Sequence, residues 1–86
     1  MNFKMQTQDN GPKRTKEYFF FDETNKWMNS AAFVVYAAVD GTYSVVAQGK
    51  CPALKDETNF KEAVEAGIAA WKAFLSELDE PYEGGQ

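Results

Sequence analysis

The chain has 86 residues, of which 44% are apolar and 15% aromatic, and nine Lys and Arg against thirteen Asp and Glu give it a net charge of −4. That length supports one hydrophobic core burying roughly 60–65% of the unfolded surface, which excludes a second domain. The apolar content excludes a disordered chain, and the acidic balance opposes non-specific attraction to phosphate backbones.

Residues 1–16 carry Lys4, Lys13, Arg14 and Lys16 against Asp9 alone, contain Asn10-Gly11-Pro12, and read as a flexible basic arm without period 2 or period 3.6. A single α+β domain is expected over residues 17–80. Its first strand is the aromatic run at residues 18–21, closed by Asp22 as a turn residue. Residues 22–31 form a connection in which Trp27 and Met28 are apolar enough to fold over the core edge. The second strand spans residues 32–39. Asp40-Gly41 then supplies the two positive φ values of a two-residue type I′ hairpin turn into the third strand.

A two-residue loop sets the pairing: Val39 with Thr42, Ala38 with Tyr43, Tyr36 with Val45, Val35 with Val46 and Phe33 with Gln48. The face bearing Val34, Tyr36, Ala38, Tyr43, Val45 and Ala47 is uniformly apolar, so it is the expected core. The opposite face carries Phe33, Val35, Ala37 and Val39 beside Thr42, Ser44, Val46 and Gln48.

A helix over residues 59–79 is the expected cover. Phe60, Val64, Ile68, Trp71, Phe74, Leu75 and Leu78, with Ala63 and Gly67 between them, recur at spacings of three and four. Asn59 and Glu62 have capping-box spacing, and Pro81 is the expected stop. Lys61, Glu62, Glu65, Lys72 and Glu77 fall on the water-facing side. Residues 81–86 read as an acidic, frayed tail. The predicted fold is therefore a two-layer β-β-β-α unit: a three-stranded antiparallel meander with one long C-terminal helix on one face.

The chemistry-bearing inventory is small. There is no His, and one cysteine, Cys51, so neither an intramolecular disulfide nor a zinc finger is available. The acidic pairs Asp22-Glu23 and Asp56-Glu57 sit in turns that aim their carboxylates apart and into solvent, and Cys51 has no histidine to activate it. No catalytic residue, metal site or cofactor is expected. No apolar stretch is long enough for a signal core or a membrane span, which together with the lone cysteine predicts a cytoplasmic location.

The uncovered face directs the functional reading. Phe33, Val35, Val39 and Val46, with part of the aromatic run at residues 18–21, make an apolar patch bordered by Thr42, Ser44 and Gln48, the composition of a protein-contact surface. The acidic helix and tail add Glu62, Glu65, Glu77, Asp79 and Glu80, carboxylates suited to a basic channel on a larger nucleic-acid-handling enzyme. The expected partner is thus a larger protein that this chain blocks, and a homodimer is one alternative. Single-stranded nucleic acid, stacked on sheet aromatics beside the basic arm, is the other. It ranks behind protein because residues 32–49 contain no Lys or Arg. No membrane partner is expected.

From Gly41 to Pro81 the string GTYSVVAQGKCPALKDETNFKEAVEAGIAAWKAFLSELDEP resembles the core of HicB-type antitoxins, through Tyr43, Cys51, Thr58, Glu62-Ala63-Val64 and Ala66. The Cys51-Pro52 order is reversed relative to that pattern, and one residue is inserted between Thr58 and Glu62. The resemblance covers about half the chain. It implies a partial RNase H-like scaffold without nuclease activity that binds and silences another protein, and it carries over no catalytic residue.

Overall fold

The computed structural model describes residues 2–24, 30–48, 53–54 and 58–84, with side chains of the last helix described as far as Glu77. Four strands, β1 (Phe3–Asp9), β2 (Lys16–Asp22), β3 (Phe33–Ala37) and β4 (Tyr43–Ala47), precede one helix, α1 (Phe60–Gly84). The strands form a single antiparallel sheet in chain order, and α1 packs across β3 and β4. The α+β meander with a C-terminal helix stands, with one strand more than expected. The fourth strand corrects the reading of residues 1–16 as a flexible arm. Phe3 to Asp9 pair residue for residue with Asp22 to Lys16. Between them, Gly11 sits at φ 117° and Asn10 Nδ2 donates to the Thr15 carbonyl at 2.7 Å, closing the reversal.

The β3–β4 hairpin differs from expectation by one residue, and that difference turns β3 over. Gly41 N–H donates to the Ala38 carbonyl at 3.1 Å and Ala38 N–H to the Thr42 carbonyl at 2.9 Å. Gly41 takes φ 90° while no non-glycine residue among the described residues has positive φ, so Asp40 does not adopt a type I′ conformation. The loop is the three-residue form, Val39-Asp40-Gly41, with glycine in the bulge position. Asp40 fixes it by accepting from the Thr42 hydroxyl at 2.7 Å and the Thr42 amide at 3.0 Å. The hydroxyl bond first, and the amide bond second, hold the Asp40 carboxyl below the usual carboxylate range.

With Val39 in the loop, Phe33 faces Ala47, Val35 faces Val45 and Ala37 faces Tyr43. The inner face of β4 is the expected one: Tyr43, Val45 and Ala47. On β3 the inner residues are Phe33 and Val35, not Val34 and Tyr36, because a slip of one residue exchanges the two faces of a strand. Phe33 and Val35 are fully buried, which removes them from any contact surface.

Pairing with β2 explains why this choice packs well. Phe33 stands opposite Phe20 and the rings stack at 4.6 Å, while Phe3 meets Phe33 edge-on at 5.5 Å. Above them, Ala63, Ala66, Gly67, Ala70 and Trp71 are buried residues of α1, flanked by partly buried Phe60, Val64, Ile68, Phe74 and Leu75. The expected stripe is therefore in place from Phe60 to Leu75, and the Leu78 side chain lies outside the described residues. Lys61, Glu62, Glu65, Lys72 and Glu77 are exposed, also as expected. The capping box forms reciprocally: Glu62 N–H donates to Asn59 Oδ1 at 2.9 Å and Asn59 N–H to Glu62 Oε1 at 3.3 Å.

Pro81 does not end the helix. Its fixed φ is already a helical value, so α1 continues to Gly84 after forfeiting one amide bond, and residues 81–84 belong to the helix and not to a frayed tail.

Asp22 is a further correction. Its carboxylate is buried and accepts from Trp71 Nε1 at 2.6 Å and from the Thr24 amide at 3.0 Å. It opens the turn at Glu23 and Thr24 as expected, but its side chain does not point into solvent. The bond ties the middle of α1 to the end of β2, a strand the helix does not cross, and it satisfies the indole N–H of the largest fully buried side chain.

Candidate functional site

The sheet has two faces and α1 covers one. The uncovered face is set by strand alternation: Phe19 and Phe21 on β2, Val34 and Tyr36 on β3, and Ser44 and Val46 on β4, with Lys4, Gln6 and Gln8 on β1. Its central cross-strand row is Gln6, Phe19, Val34 and Val46 in register, and the next is Gln8, Glu17, Tyr36 and Ser44. The four strands thus bring an apolar row into line beside a polar border. Val46 is 58% exposed at the end of that row. A depression of about 350 Å³ lies there, lined by Phe19, Ala31, Val34, Val46 and Gln48 among others. Gln48 Nε2 donates to Ser30 Oγ at 3.3 Å and to the Ala31 carbonyl at 3.4 Å, which holds the rim in place. Among the described residues only Lys4 and Glu17 bring charge to the face.

The residues expected to form the contact surface separate into three groups. Val46 and Gln48 lie on or beside the open face and are exposed. Val39 is 63% exposed but belongs to the hairpin loop, where it lines a hollow with Asn10, Lys13, Arg14, Thr15 and Glu17 at the tip of the β1–β2 ribbon. Phe33 and Val35 are core. The acidic residues are on the other layer: Glu62 is committed to the helix cap, and Glu65 and Glu77 are exposed along α1. The structure does not bring those carboxylates to the sheet face. Asp79 and Glu80 lie on the backbone of α1, with side chains outside the described residues. Cys51, the Asp56-Glu57 pair and the loop residues Trp27 and Met28 also lie outside the described residues.

Val34 and Tyr36 were expected in the core, and of the aromatic run at residues 18–21 the face takes Phe19 and Phe21, which the sequence did not single out. In KEYFFFD three successive phenylalanines hide the alternation, so no side of β2 stands out. Asp22 points the wrong way: it is polar yet shares the buried parity of Tyr18 and Phe20, which only its bond to the Trp71 indole explains.

The chain matches no protein-family model, no curated protein and no solved structure. The geometry of the face and the chemistry of its residues therefore carry the functional reading. Among the described residues no group of three His, Cys, Asp or Glu side chains is placed to hold a metal ion. No helix among them is long and apolar enough to cross a membrane.

Proposed function

We propose that this chain is a non-enzymatic protein-binding domain that inhibits a larger partner, and that the open sheet face is its contact surface. The observation that carries the reading is the in-register row of Phe19, Val34 and Val46, uncovered by any element among the described residues and bordered by amides and hydroxyls. An apolar centre with a polar, nearly uncharged rim is the anatomy of a specific interface. The depression beside Val46 suits a large apolar anchor from the partner, the kind of side chain that dominates interface energetics. The resemblance to HicB-type antitoxins supports a silencing role. The exposed carboxylates of Glu65 and Glu77 add an acidic second surface suited to a basic partner.

The test is capture with tagged protein, comparing wild type with Val46→Asp. A charge placed at an exposed position leaves the fold intact while desolvation makes it unfavourable inside an interface. Wild type is expected to recover a partner in stoichiometric amount, and Val46→Asp to lose it with an unchanged helical circular dichroism signal. Equal recovery by both, or recovery by neither, contradicts the reading.

One observation favours a second function. Phe19, Phe21 and Tyr36 share the open face with Lys4, and bases of single-stranded nucleic acid stack on such rings. This reading requires oligonucleotide binding at low salt that weakens on Phe19→Ala; absence of binding at low salt rejects it.

A further inference from the structure

β1 presents an open edge. After Phe3, every residue of the strand is exposed, Met5 at 49%. Of the usual protective devices the edge has Lys4 and the terminal Asp9, but its seven residues pair with β2 without a bulge and contain no proline. The direction of its free groups follows from one bond. Glu23 N–H donates to the Asn2 carbonyl at 2.8 Å, so in the alternating antiparallel pattern Lys4, Gln6 and Gln8 bond inward to β2. Phe3, Met5, Thr7 and Asp9 aim their amides and carbonyls outward.

We infer that β1 pairs antiparallel with β1 of a second copy of this chain, about a two-fold axis at Gln6, to make one continuous eight-stranded sheet. This register sets Phe3 opposite Asp9, Lys4 opposite Gln8, Met5 opposite Thr7 and Gln6 opposite itself. All four outward-pointing residues then meet outward-pointing partners, which no shifted register achieves over the whole strand. Charge agrees with the register: Lys4 faces an amide, Asp9 faces a phenyl ring, and no like charges are opposed. Met5 is covered by the partner's Thr7 and, diagonally, by the partner's Met5. The two open faces become one continuous surface, since a two-fold axis perpendicular to the sheet keeps them on the same side.

Thr7→Pro tests the pairing. It removes an outward amide on each copy and leaves the β1–β2 ladder whole, a placement that an edge strand tolerates. Sedimentation of wild type from low micromolar to near-millimolar concentration is expected to move from 9.7 kDa toward twice that mass. Thr7→Pro is expected to weaken the dimer roughly tenfold or more, since two symmetric hydrogen-bonded pairs lose a donor. Met5→Lys provides an independent arm in which like charges face each other diagonally across the axis, and it too is expected to be monomeric with a wild-type circular dichroism spectrum. A wild type that stays at 9.7 kDa throughout, or variants that dimerise as well as wild type, overturns the inference.

Discussion

Phe33→Ala is expected to cost about 3–5 kcal/mol of folding stability, as removal of a fully buried ring does when its surroundings collapse only partly. Phe33 is 1% exposed and stands at the centre of the core, stacked on Phe20, met edge-on by Phe3 and roofed by α1 at Gly67. A domain of this size holds only about 5–15 kcal/mol in total, so the variant sits near its unfolding midpoint at moderate temperature. Urea titration followed by helical circular dichroism measures the loss. Phe33→Asp goes further, since an unpaired carboxylate would replace the ring, and helix and fold are expected to be lost together. A cost below about 1 kcal/mol for Phe33→Ala would place the residue on the surface, in the size range of ordinary exposed substitutions.

Gly67→Ala is the second large effect, and its sign is the informative part. Helix propensity alone favours alanine by about 0.8–1 kcal/mol. A Cβ at position 67, however, would lie 2.2 Å from Phe33 Cδ2, 2.5 Å from Cε2 and 2.6 Å from Cγ. The ring cannot retreat, because Phe20 backs it at 4.6 Å. Overpacking of this kind costs about 1–3 kcal/mol and occasionally more, so the net change is a destabilisation of roughly 1–2 kcal/mol. In the Phe33→Ala background, at a temperature where that variant remains folded, the same substitution meets open space and is expected to stabilise. A double-mutant cycle reads this reversal as coupling. Additive effects would mean that Phe33 does not lie beneath Gly67.

These two positions also mark where the sequence was legible and where it was not. The helix was readable because its signals are local: Asn59 and Glu62 three residues apart make the cap, and the spacing of Phe60, Val64, Gly67 and Trp71 makes the buried stripe. The small residues Ala63 and Gly67 within that stripe lie where the helix approaches the sheet closely. β4 was read on the right face for the same reason, since Tyr43, Val45 and Ala47 alternate with Ser44 and Val46.

β3 was not, because FVVYA is apolar at every position and only the turn could fix its face. Asp-Gly fits both a two-residue loop and the last two positions of a three-residue loop. The choice between them fell to the aromatic pairing of Phe20 with Phe33, a contact across strands. β1 was missed because a strand exposed on both faces leaves Phe3 and Met5 as its only strong apolar marks. Asp22 was misread because its partner, Trp71, is 49 residues away. The consequence for the site is specific: the patch named from sequence kept Val46 and Gln48 and, from the run at residues 18–21, Phe19 and Phe21; it lost Phe33 and Val35 to the core and Val39 to the hairpin loop, and gained Val34 and Tyr36.

The register of the β3–β4 hairpin decides which side of β3 faces outward, and nuclear magnetic resonance reads it directly. In the pairing described, Val35–Val45 and Ala37–Tyr43 are the non-hydrogen-bonded pairs, whose backbones approach most closely. Strong Hα–Hα contacts between Val35 and Val45 and between Ala37 and Tyr43 are the expected result. Contacts linking Val35 with Val46, or Tyr36 with Val45, would instead turn Val34 and Tyr36 inward and dismantle the proposed surface.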